Sequence, residues 1–298
     1  MPAIVSHYIL AEKVMSVLSE LRPGLNINRN AFIWGASGPD VLFCHRLLPL
    51  NSQRSLRDYG IRMHSEPAEK LLNYLVSYAR YKKSDIAMSY ALGFVTHYAF
   101  DSTAHPFILS RAKQMAEERM LKDESSCHNE IEANLDTLFL LREKGKSIRC
   151  FSLSSAAPID KPVNEAVAEA LQGFFLWKYG KRVFRSDLIR AQREWHNALA
   201  ILNDRTGVKY RFIRRTERII GISPIASPLI RRNIPPKAQD YANLSHKSWL
   251  SKNDGKYYSY SFFELAEQAE DLSIELISDI LSGKKLTAEQ CKKTFSAK

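Results

Sequence analysis

Two patterns, His97-x3-Asp101 and His128-x3-Glu132, constrain this chain more than any other feature, because each sets a histidine and a carboxylate four residues apart. Residues at that spacing lie one above the other on a helix face, with Cβ atoms about 5–6 Å apart, and can grip one ion between them. The helical zinc motif of two histidines four apart uses the same geometry, with a carboxylate here in the second place. One such pair alone reads as a solvated surface contact. In this chain six of the eight histidines fall within the first 128 residues, His7, His64 and His105 among them, so a metal cluster held between helices is the leading expectation.

The surroundings sharpen it. Ile86 to Phe100 carries almost no charge, and Asp101 at the end of such a run is costly to bury unless it is paired or bound to a cation. Gly93, one turn before His97, leaves room for a second helix to approach. Pro106 disfavours the helical conformation at the residue before it, so the helix is expected to end near His105 and free that side chain to reach a second ion. A further helix is expected from His128, with Ser125 and Ser126 as caps. Glu132 shares the face of His128, Glu130 points elsewhere, and Asp136 is expected one turn on as an outer partner steadying a ligand histidine.

Apolar residues recur at three- and four-residue spacing over Ile9 to Leu21, Ala68 to Tyr78, Ile86 to Phe100, Ile131 to Leu141, Val163 to Phe175, Leu188 to Leu202 and Phe262 to Leu281. Breaks fall at Arg22-Pro23-Gly24, Gly35 to Pro39, Lys82 to Asp85 and Pro224 to Pro236. The pattern predicts an all-α protein. Turn formers between Lys146 and Pro162 set a soft boundary, with a metal-binding domain over 1–150 and a basic helical extension over 151–298, the two packed as one unit or not.

Charge belongs mainly to the second part. The first 150 residues carry 19 basic and 16 acidic side chains and the remainder 24 and 16. Between 205 and 237 stand Arg205, Lys209, Arg211, Arg214, Arg215, Arg218, Arg231, Arg232 and Lys237, opposed only by Glu217 and interleaved with the apolar run Ile219-Ile220-Gly221-Ile222. Such a mixture suits the interface of an anionic membrane, with nucleic acid as the other candidate partner and a solvated helix plus packed loop as the plain alternative. No run approaches the roughly 20 apolar residues of a membrane span, and the N-terminus shows no basic leader or cleavage site. Cys44, Cys127, Cys150 and Cys291 form no C-x-x-C pair, which favours a reducing, cytoplasmic setting over a disulfide framework.

Taken together, Gly38-Pro39-Asp40, Met63-His64, His97-Tyr98-x2-Asp101-x3-His105-Pro106 and His128-x3-Glu132 resemble the zinc-dependent phospholipase C/D family, all-helical enzymes related to the three-zinc single-strand nucleases. The resemblance spans roughly residues 1–150 and implies a multi-helix bundle with the metal cluster between helices. It implies two or three Zn2+ ions: His64, His97 and Asp101 for one, His105, His128 and Glu132 for a second, and Asp101 bridging to a third beside His7. Asp40 resembles the family's general base, or an additional ligand in the nuclease branch. The third ion of the family also takes the amine of an N-terminal Trp. This chain lacks that Trp, and Pro2, exposed on removal of Met1, is the expected substitute. His45, His196 and His246 match nothing in the pattern and read as structural or surface histidines.

The function implied is a zinc-dependent phosphodiester hydrolase that turns metal-activated water on a phospholipid head group. The alternatives are a nuclease-like phosphodiesterase, weakened by the absence of a regular aromatic series for base stacking, and a non-catalytic zinc-binding scaffold with a closed ligand shell.

Overall fold

A computed structural model of the chain describes residues 3–47, 55–121, 124–233, 239–292 and 294–295. Its centre is α5, Asp85–Glu118, a helix of 34 residues and therefore about 50 Å long at 1.5 Å per residue. Ser84 caps its start by accepting from the Ala87 amide, and the stretch from Tyr90 to Ser102 is buried without a break. A helix apolar all round needs neighbours on every side. They are α1 (Ile4–Leu21), α2 (Arg29–Ala36), α4 (Glu69–Lys82), α6 (Ser125–Lys144) and α10 (Phe262–Leu281), all packed on α5. Outside them, α7 (Lys161–Tyr179) and α8 (Arg185–Leu202) cover α2 and the turn that follows it.

Each boundary has a local cause. Asn28 accepts from the Ala31 amide to start α2, Asp160 from the Val163 amide to start α7, and Ser261 and Glu264 form a reciprocal capping box on α10. The only paired strands among the described residues are β1 (Trp249–Leu250) and β2 (Tyr257–Tyr258), an antiparallel two-residue ladder beside α5. The protein is thus all-α, as periodicity predicts.

Two glycines set the closest helix approach. A Cβ on Gly35 would stand 2.2 Å from the Tyr90 carbonyl oxygen, and one on Gly93 would stand 2.0 Å from that of Phe32. The room expected at Gly93 is filled by α2 backbone.

Three expectations need correcting. The helix does not end at His105: α5 runs through Pro106 to Glu118. An interior proline costs about 3 kcal/mol or more through a lost amide and a steric clash, and here Ala104, Pro106, Phe107 and Ile108, all buried, supply the packing that offsets it. Neither Ser125 nor Ser126 caps α6, which starts after Glu124 with no side-chain cap. Asp136 does not steady a histidine: it accepts from the Ser6 amide at 2.7 Å, the Ser6 hydroxyl at 2.8 Å and the Arg231 guanidinium at 2.9 Å. Periodicity also missed the short α2, α3 (Arg57–Ser65) and α9 (Val208–Ile220).

Candidate metal centre

Five segments deliver side chains to one buried cluster. His7 comes from the first turns of α1, Asp40 from a 3-10 turn over Gly38–Cys44, His64 from the last turn of α3, His97, Asp101 and His105 from one face of α5, and His128 and Glu132 from α6. The 3-10 turn depends on Gly38, whose φ of +52° is in the left-handed region and whose position admits no Cβ, since one would lie 2.3 Å from the His97 ring. That tight turn brings Asp40 beside the α5 face.

Asp101 is the hub. Its Oδ1 lies 3.1 Å from His7 Nε2 and 3.9 Å from His105 Nε2, and its Oδ2 lies 3.2 Å from His97 Nε2 and 3.9 Å from His64 Nε2. On one side His64 Nε2 is 3.0 Å from Asp40. On the other, Glu132 Oε1 is 3.1 Å from His128 Nε2 and 3.6 Å from His105 Nε2. Three groups of donor atoms are each compact enough for one ion: His7, His97 and Asp101; Asp40, His64 and His97; and His105, His128 and Glu132. The helical pairs at 97/101 and 128/132 therefore face each other across the cluster. The Pro2 amine lies outside the described residues.

Zinc chemistry fits these residues. Imidazole and carboxylate are its ordinary nitrogen and oxygen donors. Nδ1 of His64, His97 and His105 lies 2.7, 3.0 and 3.1 Å from the carbonyls of Gly60, Ala36 and Phe295. A carbonyl only accepts, so each Nδ1 carries a proton and each Nε2 points inward, where it offers a lone pair to a metal once it has no proton of its own, the arrangement expected of a ligating histidine. His97 Nε2, Asp101 Oδ2 and both Glu132 oxygens are buried with no hydrogen-bond partner, although ion-pair contacts surround them. Such atoms are costly to bury unless a cation satisfies them.

The electrostatics agree. Burial alone would raise Asp101, yet the charges of His105 and His97, with His7 close beside it, hold it well below the usual carboxylate range. Glu132 is held down in the same way by His128 and His105. Burial alone would lower His105, but Asp101 and then Glu132 push it up to about 9. His64 is likewise raised against burial, mainly by Asp40.

The remaining histidines stand apart from the cluster. His45 is buried and its Nδ1 accepts from the Leu56 amide, His196 bonds the Ala157 carbonyl, and His246 is exposed near Glu264. Sequence reasoning missed the carbonyls that orient the histidines, because a backbone acceptor has no side-chain signature. It also missed the pairing of Arg231 with Asp136, two buried charges far apart in sequence.

Among protein families, the one described as zinc dependent phospholipase C matches residues 6–199 of this chain. No curated protein and no solved structure matches it.

Proposed function

Since the chain belongs to the zinc-dependent phospholipase C family, we propose that it hydrolyses the phosphodiester bond of a phospholipid by phospholipase C-type cleavage. The observation that carries this reading is the convergence of five imidazole Nε2 atoms on Asp40, Asp101 and Glu132 in one buried cluster. His64, His97 and Asp101 would hold one zinc, His105, His128 and Glu132 a second, and His7 with Asp101 a third. Bound zinc supplies an acidified water near neutral pH and positive charge against the phosphoryl oxygens. The chain's own residues do the rest. Asp101 holds four imidazoles in mutual register, backbone carbonyls fix the tautomers of His64, His97 and His105, and Asp40 accepts a proton from the attacking water. Water adds at phosphorus, the bond from phosphorus to the glycerol oxygen breaks, that oxygen takes up a proton to balance the one given to Asp40, and the products are a diacylglycerol and a phosphorylated head group. Asp40 also falls within ligand distance of His64 and His97, so it can serve as a ligand when it is not accepting a proton. A nuclease-like diesterase or a zinc-bearing scaffold remains the competing reading of the same cluster.

The protonation of the cluster gives a test. Ligation needs neutral imidazole, and before zinc enters His105 stays protonated up to about 9. Zinc uptake at pH 7 is expected to release at least one proton, with apparent affinity rising with pH and levelling above about 9. Indicator titration and metal analysis read this directly. Parallel assays use phospholipid vesicles, bis-p-nitrophenyl phosphate and single-stranded DNA. Stoichiometric zinc without hydrolysis of any substrate would make the protein a scaffold, and hydrolysis of DNA alone would make it a nuclease.

The extension from 151 onward is read as presenting this centre to a membrane. In α9, Val208, Phe212 and Ile219 line one stripe at 56, 70 and 75 % exposure, with Lys209, Arg211, Arg215 and Arg218 exposed around them. Glu217 faces inward and accepts from the amides of Ile225, Ala226 and Ser227, folding the following loop beneath the helix. Basic flanks beside an exposed apolar stripe match an anionic lipid surface, at about 1 kcal/mol per basic side chain. Reversing Arg211, Arg215 and Arg218 to Glu is expected to weaken binding to phosphatidylserine vesicles by about 100-fold or more in co-sedimentation. Unchanged binding would remove the helix from the interface. Lys237 lies outside the described residues. Among the described residues no helix is long and apolar enough to cross a membrane. The four cysteines are free, which suits a reducing compartment.

A further inference from the structure

Residues far beyond the matched span close one wall of the histidine cluster. Cys291 is buried, Thr294 bridges to Pro67 just past the helix that carries His64, and Phe295 has no exposed surface. The Phe295 ring lies 5.9 Å from the His64 ring and 5.6 Å from that of His97, and packs edge-on against Phe94 and Tyr98 at 5.9 and 5.4 Å. Its backbone carbonyl accepts from His105 Nδ1 at 3.1 Å.

The same device orients three histidines, and its sources differ. The Gly60 and Ala36 carbonyls, which hold His64 and His97, come from elements within residues 6–199. The carbonyl for His105 comes from residue 295, although His105 stands at the point where two groups meet, 3.9 Å from Asp101 and 3.6 Å from Glu132. Without that acceptor the imidazole is free to move its proton to Nε2 or to rotate, and either change withdraws the lone pair from Glu132 and His128.

We infer that Phe295 is a positioning residue of the metal centre, its carbonyl fixing the tautomer and direction of His105 and its ring fixing His64 and His97. The matched span alone is then an incomplete centre. This rests on the reading of the cluster as a zinc site.

The test compares the full chain, a chain stopped after Lys292, and Phe295→Leu, which keeps both the carbonyl and an apolar contact. Zinc affinity is measured by competition with a chelating dye, and ligand geometry by the visible absorption of the Co2+-loaded protein. Removing an outer partner of a ligand histidine typically costs about 10–100-fold in metal affinity. The shortened chain is expected to bind zinc that much more weakly and to show an altered cobalt spectrum, and Phe295→Leu, which keeps the carbonyl but loses the ring against His64 and His97, is expected to fall between it and the full chain. If the shortened chain loses its cooperative thermal transition, insertion of one glycine between Thr294 and Phe295 displaces the carbonyl at full length, and the same loss is expected. Wild-type zinc affinity and an unchanged cobalt spectrum in the shortened or inserted chain would overturn the role of Phe295. Failure of the full chain itself to bind zinc would overturn the zinc-site reading instead.

Discussion

Replacing Asp101 by Asn is expected to strip most of the zinc from the protein and to lower phosphodiester hydrolysis on the order of 10^3-fold. The position of the carboxylate sets that size. Both oxygens are in use, Oδ1 toward His7 and His105 and Oδ2 toward His97 and His64, at 3.1 to 3.9 Å. An amide keeps the volume but removes the charge, and one of its two ends becomes a donor aimed at an imidazole lone pair. A carboxylate that faces several cations contributes several kcal/mol to their binding and to charge neutralisation at phosphorus, and each 1.36 kcal/mol is about tenfold in rate. Metal content by mass spectrometry and kcat/KM on a phosphodiester check it together. Wild-type zinc content with activity within tenfold of the parent would displace Asp101 from the hub.

Asp136→Ala is expected to cost about 3–5 kcal/mol of stability, measured by denaturant or thermal unfolding. The side chain is fully buried and answers two Ser6 donors and a guanidinium that is itself 3 % exposed. Removal leaves the buried Arg231 guanidinium without its carboxylate and the Ser6 amide without its acceptor. The cost comes from the stranded partner more than from the pair. Burial raises the Asp136 carboxyl above its ordinary value despite Arg231 and Ser6, as expected where desolvating a buried pair is costly. The double replacement Asp136→Leu with Arg231→Leu is therefore expected to recover most of the loss. A single-variant cost below 1 kcal/mol would contradict the argument. Because Ser6 precedes His7, this pair also anchors one corner of the metal cluster.

The parts of this architecture that were legible in the sequence are those written in side chains at fixed spacing. His97 with Asp101 and His128 with Glu132 needed only the helical repeat, and the long helices followed from apolar periodicity. Short elements escaped because α2 is 8 residues and α3 is 9, too few turns for a period to emerge. Pro106 misled because a local preference was weighed without the packing that overrides it. Asp136 misled because spacing places a carboxylate on a face without saying who stands opposite. Arg231, its partner, sits 95 residues away and reads from sequence as one more member of a basic run.

The contact of α2 with α5 has a consequence for how the centre is tuned. Gly35 and Gly93 occupy one shared gap between the helix backbones, and neither touches a ligand atom. The Ala36 carbonyl that holds His97 and the turn that carries Asp40 both follow Gly35 directly. A single methyl group added in that gap would act as a spacer, tilting α2 and carrying the His97 acceptor and Asp40 away from α5 as one rigid lever. The fine calibration of the ligand distances is thus kept by an absence of side-chain volume one turn from the chemistry, where a comparison limited to ligand residues would record no change.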